Sequence, residues 1–331
     1  MVDAVARYCY NSHLFFIKEG PNTMDLTKLK TYSIRKRKSK VNRQEFAHIL
    51  KAGSSFSDFL NSLPDILKAK DLKEVVAVIV RAREKNKPVM FLMGAHVIKC
   101  GLSPIVIELV RRGIVTSVAL NGAGVIHDFE LAFCGETSED VLSALKDGTF
   151  GMARETADFI NTAVSDGARG SRGFGESFGL KIEKEDLKFK DLSIAFTCLK
   201  KKIPLTVHVA IGTDIIHQHA SFSGADTGEV SARDFRRFTK EVAKLGSGGV
   251  VVNIGSAVIL PEVFLKALSV ARNLIGKVEG FTTVNMDMNF HYRPFQNIVS
   301  RPVAGSGRGY YLIGHHEIML PLLAQAIIDR I

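Results

Sequence analysis

Side chains able to do acid–base or ligand chemistry gather in this sequence where apolar runs end: Ala95-His96, Asn121-Gly122, His127-Asp128, Thr213-Asp214, Asn253-Gly255 and His315-His316-Glu317. Seven of the ten histidines (His96, His127, His217, His219, His291, His315, His316) lie in or beside such turns. An imidazole titrates near neutrality, so it can serve as general base, hydrogen-bond partner or metal ligand. His127, His219 and His291 are the candidates for a general base. The densest group is Asp214-Ile215-Ile216-His217-Gln218-His219. Its carboxylate and two imidazoles suit zinc, iron or manganese, although the spacing matches no specific metal signature. Ligation by Asp214, His217 and His219 therefore stands beside hydrogen bonding to a cofactor or substrate.

The elements that must position these groups are legible around Lys87 to Gly124. An uncharged apolar run to Met93 reads as a buried strand broken at Gly94, and Ser103-Pro104 opens an amphipathic helix that stops at Gly113. A second strand over 115–120 ends in Asn121-Gly122-Ala123-Gly124. Strand, turn, helix, strand is a βαβ unit, which predicts a parallel sheet with a ligand crevice at the carboxyl ends of its strands. Further strands are expected over 203–211, 249–253, 281–284 and 310–313. Helical spacing is expected over 42–70, 71–85, 138–145, 152–164, 187–202, 231–245, 261–274 and 316–330, with a helix start at 125–131. The alternation describes one α/β domain, a doubly wound, mostly parallel sheet with helices on both faces.

Two segments interrupt the pattern. The glycine-rich stretch 166–175, with Arg169 and Arg172, reads as a flexible surface loop, with phosphate binding as the alternative. The stretch from Asn285 to Gly307 reads as a loop of about 25 residues, long enough to suggest function. Its Arg293 and Arg301 can hold a carboxylate or phosphate bidentately, or form intersubunit salt bridges.

At 331 residues, 46% apolar and 24% charged, the composition is that of a globular enzyme, and no apolar run approaches the ~20 residues of a membrane span. The formal charge is +10, partly concentrated in Arg35-Lys36-Arg37-Lys38-Ser39-Lys40. That run lacks aromatic interleaving, so a solvated arm is expected there rather than a nucleic-acid contact. Four cysteines without CxxC spacing suggest a reducing cytoplasm, with a reactive thiol at Cys100 as a side possibility. The domain reading is a basic arm over 1–41 and a single catalytic domain over 42–331. Met24-Asp25-Leu26-Thr27 resembles a natural beginning, which makes residues 1–23 an arm or an over-long start.

Taken together, the turns resemble those of the deoxyhypusine synthase family, from about Phe46 to the C-terminus. Ala95-His96-Val97-Ile98-Lys99-Cys100-Gly101 stands where the family has Ser-Asn-x-Ile-Ser-Ser-Gly, and Asn121 to Asp128 stands where it has Thr-Ala-Gly-Gly-x-Glu-Glu-Asp. Thr213-Asp214 matches its Thr-Asp-Gly-Ser turn, Asn253-Ile254-Gly255-Ser256 its later glycine turn, and Gly314-His315-His316-Glu317 its Ala-Asp-Ala-Ser. The resemblance implies NAD as cofactor, a homotetramer with sites between subunits, and hydride-transfer chemistry on a small polar or amine substrate. The cofactor residues it implies are Ala95, His96, Asn121, Gly122, Ala123, Asp128, Asp214, Gly255, His315 and His316, with helix N-termini toward the pyrophosphate. The family's imine-forming lysine has no counterpart in Ile298-Val299-Ser300-Arg301-Pro302-Val303, and no lysine follows Lys277. A genuine aminobutyl transferase would need a displaced lysine such as Lys99. The other alternative is a metal-dependent hydrolase or lyase built on Asp214, His217 and His219.

Overall fold

Residues 24–331 are described in the computed structural model, and the readings for residues 1–23 lie outside them. Backbone proximity divides the chain after Arg43. Within residues 24–43 every residue is exposed, and 3-10 turns form at Leu26–Lys28 and Ile34–Lys36, the second entering the basic run.

The unit Gln44–Ile331 is built on β1 (Val89–Met93), β2 (Ser117–Asn121), β3 (Leu205–His208), β4 (Val250–Ile254), β5 (Thr282–Asp287) and β6 (Arg308–Ile313). All neighbours pair in parallel, in the order β3-β2-β1-β4-β5-β6. The helices are α1 (Phe56–Ser62), α2 (Leu67–Glu84), α3 (His96–Lys99), α4 (Ser103–Arg111), α5 (Gly122–Cys134), α6 (Val141–Asp147) and α7 (Arg154–Arg169). They continue with α8 (Phe174–Lys184), α9 (Ile194–Lys200), α10 (Gly224–Val242), α11 (Ile259–Ile275), the turn α12 (Tyr292–Pro294) and α13 (His316–Ile328).

A central parallel strand has both faces covered, so it must be apolar throughout. β1 and β4 are buried at every position. Val89, Phe91 and Met93 enter the larger core with residues of α2, α4, α5 and α13. Met90 and Leu92 enter a second core with residues of α10 and α11. Helices on both faces are thereby fixed by strand alternation alone.

Several elements differ from expectation. Residues 42–55 are not one helix; α1 starts at Phe56 behind a Ser55–Asp58 capping box, and α2 runs unbroken through Asp71. Ser103 is not the cap of α4 but its first residue. The glycine-rich loop shrinks to the turn 170–173, and α8 follows. A Cβ on Gly175 would lie 2.2 Å from the Leu205 carbonyl oxygen, so that glycine serves close packing of α8 on β3. α10 begins seven residues before Ser231, capped by Ser223. The stretch after β5 winds into α12, a π-turn (Phe295–Ser300) and a 3-10 turn (Arg301–Val303) instead of an open loop. There Arg293 pairs with Glu262 and Arg301 donates to Asn297.

Asp234 ties α8, α10 and β3 together: fully buried, it accepts the N–H groups of Gly175 and Val207. Desolvation pushes its pKa up to about 7 against those hydrogen bonds. A carboxyl whose pKa is higher folded than unfolded gives stability that is complete below about pH 3.8 and lost as pH rises through about 7. His208, held neutral by burial, changes only on the acid side of its ordinary range. Unfolding free energy should therefore fall by about 1 kcal/mol between about pH 6.5 and 8 from Asp234 alone. Asp234→Asn should remove that part of the decline, read from denaturant titrations at the two pH values.

Candidate active site

Strand order reverses between β1 and β4, which both end at the same level: Met93 pairs with Ile254 in register. In open α/β sheets the ligand crevice lies outside the carboxyl ends at this point. Here the two following turns meet. Gly94 N–H donates to the Ile254 carbonyl at 2.9 Å, and a Cβ on Gly94 would fall 2.1 Å from the Gly255 oxygen. Gly255 has φ +64°, and a Cβ there would lie 2.7 Å from His316 Nε2. Both glycines are required by space, and Gly255 by conformation as well. His316 opens α13 from a buried position, its Nδ1 without a hydrogen-bond partner, and desolvation lowers its pKa despite the opposing charge of Asp287. His96, exposed at the start of α3, brings its ring centroid to 5.6 Å from that of His316. His315 is exposed beside Glu317 and leaves the N-terminus of α13 without a side-chain cap.

Further along the same edge, β2 ends in Asn121, which caps α5 through a 3.0 Å bond from Gly124 N–H to its Oδ1. Asp214, from the turn after β3, packs flat on Gly122: a Cβ there would be 2.0 Å from its Oδ2. The Asp214 carboxylate faces the Ala123 N–H, but desolvation outweighs that contact and raises its pKa to about 6. The expected gathering of Asn121, Asp214 and Gly255 at one sheet edge is what the fold produces. The N-terminus of α5, however, is already served by Asn121 and Asp214, so it is not open to a pyrophosphate.

A cleft of about 240 Å³ opens between α5, the turn after β3 and the α5–α7 connection. α5 contributes Ala123, Ile126, His127 and Glu130 to it, the i, i+3, i+4, i+7 face of one helix. His127 Nδ1 lies 2.6 Å from Thr137 Oγ1, whose hydroxyl is 2.5 Å from Glu130 Oε2. With the Thr137 proton given to the carboxylate, its oxygen accepts from His127 Nδ1–H, leaving Nε2 as a free base. Burial alone would raise the Glu130 pKa, but hydrogen bonds from His127, Thr137 and Thr156 together hold it below the usual carboxylate range. Glu130 and Thr137 escaped the sequence reading; the helical face shared with His127 is the signal that marks Glu130.

The other candidates separate. His219 Nε2 donates to the Gly151 carbonyl at 2.8 Å and holds the α6–α7 turn. His291 sits after β5, 3.5 Å from Asp287 Oδ1, and its N–H donates to the Tyr311 hydroxyl. Asp128, expected at the cofactor rim, is instead fully buried one residue round α5 from His127. It accepts from the Ser193 hydroxyl and the Ile194 and Ala195 N–H groups, capping α9, while desolvation raises its pKa to about 6. Asp214, His217 and His219 do not converge on one point. His217 Nδ1 accepts from Gly212 N–H and its Nε2 stands 4.0 Å from Asp214, while His219 is engaged elsewhere. Among the described residues no group of three or more His, Cys, Asp or Glu converges as a metal site. Cys100 is half-buried with its pKa raised by desolvation and by Glu317, the opposite of an activated thiol. No helix of the described residues is long and apolar enough to cross a membrane.

Fold and site define a doubly wound α/β protein with a glycine-lined crevice at the strand-order reversal and a small cleft lined by His127, Glu130 and Asp214. No protein-family model matches the sequence, and no curated protein matches it. Among solved structures, the fold is similar to that of a putative deoxyhypusine synthase from Entamoeba histolytica, with TM-score 0.52, 10% identity, and 86% of this chain and 96% of that one covered. It is also similar to AgrE in ternary complex with ornithine and NAD+ (TM-score 0.51, 14% identity, 78% of this chain), of which it spans 32%. A conserved putative LOR/SDH protein from Methanococcus maripaludis S2 gives TM-score 0.50 and 15% identity over 88% of this chain and 75% of that one. The chain has a deoxyhypusine-synthase-like fold.

Proposed function

We propose that the protein is an NAD-dependent enzyme that removes a hydride from a small polar or amine substrate, without a lysine imine step. The observation that carries this reading is the meeting of Gly94 and Gly255 at the strand-order reversal, on the same sheet edge as a carboxylate-oriented histidine. The crevice suits the cofactor by three features: close backbone approach at two glycines, the unpaired Nδ1 of His316, and the uncapped N-terminus of α13. Ala95, His96, Gly255, His315 and His316 would hold it. When bound, NAD supplies the hydride acceptor.

His127 takes the substrate proton at Nε2, with Thr137 and Glu130 fixing its tautomer. Asp214 binds the polar end of the substrate. The stretch Ile298–Val303, where the resemblance would place a lysine, supplies buried Ile298 and Val303 instead. His127→Gln should lower turnover by about 10²–10⁴-fold while leaving NAD+ affinity unchanged. Substrate-dependent NADH absorbance and a parallel NAD+ titration check the two halves separately. Lys99 lines the cleft, which favours the aminobutyl transferase as a second reading. Borohydride trapping with spermidine and NAD should then label Lys99. A cytoplasmic homotetramer is the proposed assembly, consistent with exposed Phe290, Tyr292, Ile313 and Ile318 near the carboxyl edge.

A further inference from the structure

The cleft beside α5 is lined by two groups of opposite charge, Asp214 and Lys99, that form no close ion pair; beside Asp214 Oδ2 stands the neutral His217, with Nε2 at 4.0 Å. Asp214 is 6% exposed and its Oδ2 has no hydrogen-bond partner. A buried polar atom of this kind costs free energy unless something completes it. Lys99, exposed at the end of α3, also lines the cleft, and its ammonium makes no hydrogen bond or ion pair among the described residues. Ile126, Val141, Phe150 and Ile215 give the same cleft an apolar wall. The remaining acids are engaged: Glu130 by Thr137 and Thr156, and Glu139 by the Gly151 N–H.

A simple amine would satisfy Asp214 and leave Lys99 idle, and a simple carboxylate would face Asp214 with like charge. From this arrangement we infer that the cleft selects a small zwitterion, an aliphatic α-amino acid, with its ammonium on Asp214 and its carboxylate on Lys99. The inference rests on the proposed function for the identity of the cleft as substrate site, and it names the substrate class. His127 lines the same cleft as Asp214 from the α5 face that carries Ala123, so the ammonium is the group it would deprotonate.

Matched probes test this: L-norvaline, its decarboxylated analogue n-butylamine, and its deaminated analogue pentanoate. Each is titrated calorimetrically into the full chain with and without saturating NAD+. L-Norvaline should bind, and each truncated probe should bind at least about tenfold more weakly. Asp214→Asn should abolish the advantage of norvaline over pentanoate, and Lys99→Ala, at an exposed position, its advantage over butylamine. Butylamine binding as tightly as norvaline, with Lys99→Ala without effect, would overturn the inference in favour of an amine site. Absence of norvaline binding to protein that binds NAD+ would overturn it and leave the proposed cofactor intact. Norvaline binding without any NAD+ binding would uphold the zwitterion site and remove the cofactor reading.

Discussion

Gly94→Ala is expected to destabilise the protein by about 2–4 kcal/mol and to abolish measurable NAD+ binding in the variant that still folds. The added methyl would stand 2.1 Å from the Gly255 carbonyl oxygen and 2.7 Å from its carbon, both backbone atoms that cannot rotate away. Relief requires the ends of β1 and β4 to part, and the 2.9 Å bond from Gly94 N–H to Ile254 lengthens as they do. That movement widens the crevice where a dinucleotide backbone must be approached closely. Gly113→Ala is the control: its φ of +64° carries conformational strain, but the added methyl meets no atom closer than 3.9 Å, and it lies at the opposite edge of the sheet. Denaturant unfolding and NAD+ titration of both variants separate backbone strain from loss of the crevice.

Asp128→Ala is the second large effect, expected at about 3 kcal/mol or more and without direct consequence for the cleft. Its carboxylate satisfies the Ser193 hydroxyl at 2.6 Å and the Ile194 and Ala195 N–H groups at 2.7 and 3.3 Å. All three residues are buried, so no water replaces the lost acceptor. Removing the desolvated charge returns part of the cost, which is why the figure is not larger. Asp128→Asn keeps one acceptor and should lie between alanine and wild type. Thermal unfolding of the three proteins orders them; equal stability of Asp128→Ala and wild type would contradict the capping role.

The six strands were legible in the sequence because a parallel sheet covered on both faces requires uninterrupted apolar runs, and such runs end visibly at Gly94, Asn121 and Gly255. Helix α8 was not, because Gly175 and Gly179 look like loop signals. In the fold they bring the helix within reach of the Leu205 and Ala195 carbonyls. The stretch after β5 was misread for a related reason: its aromatic and polar residues pack around Tyr311 and Glu262 in short helical turns whose period is too irregular to detect. In the candidate site, most of the histidine-rich turns lie at the carboxyl edge of the sheet, where the sequence reading placed them. Which residues share a pocket depends on helix phase: His127 and Glu130 face the cleft, and Asp128, one step of about 100° further round, faces the core. Proximity in sequence made His219 look like a partner of His217, but its bond to Gly151, across the cleft-side turn, is a tertiary contact that no spacing reveals.

Calorimetric titration of the purified wild-type chain with NAD+ tests the central claim most directly. The account predicts saturable binding at one site per chain, lost in Gly94→Ala and retained in His127→Gln. Absence of heat and of any thermal shift with either NAD+ or NADP+ would contradict it.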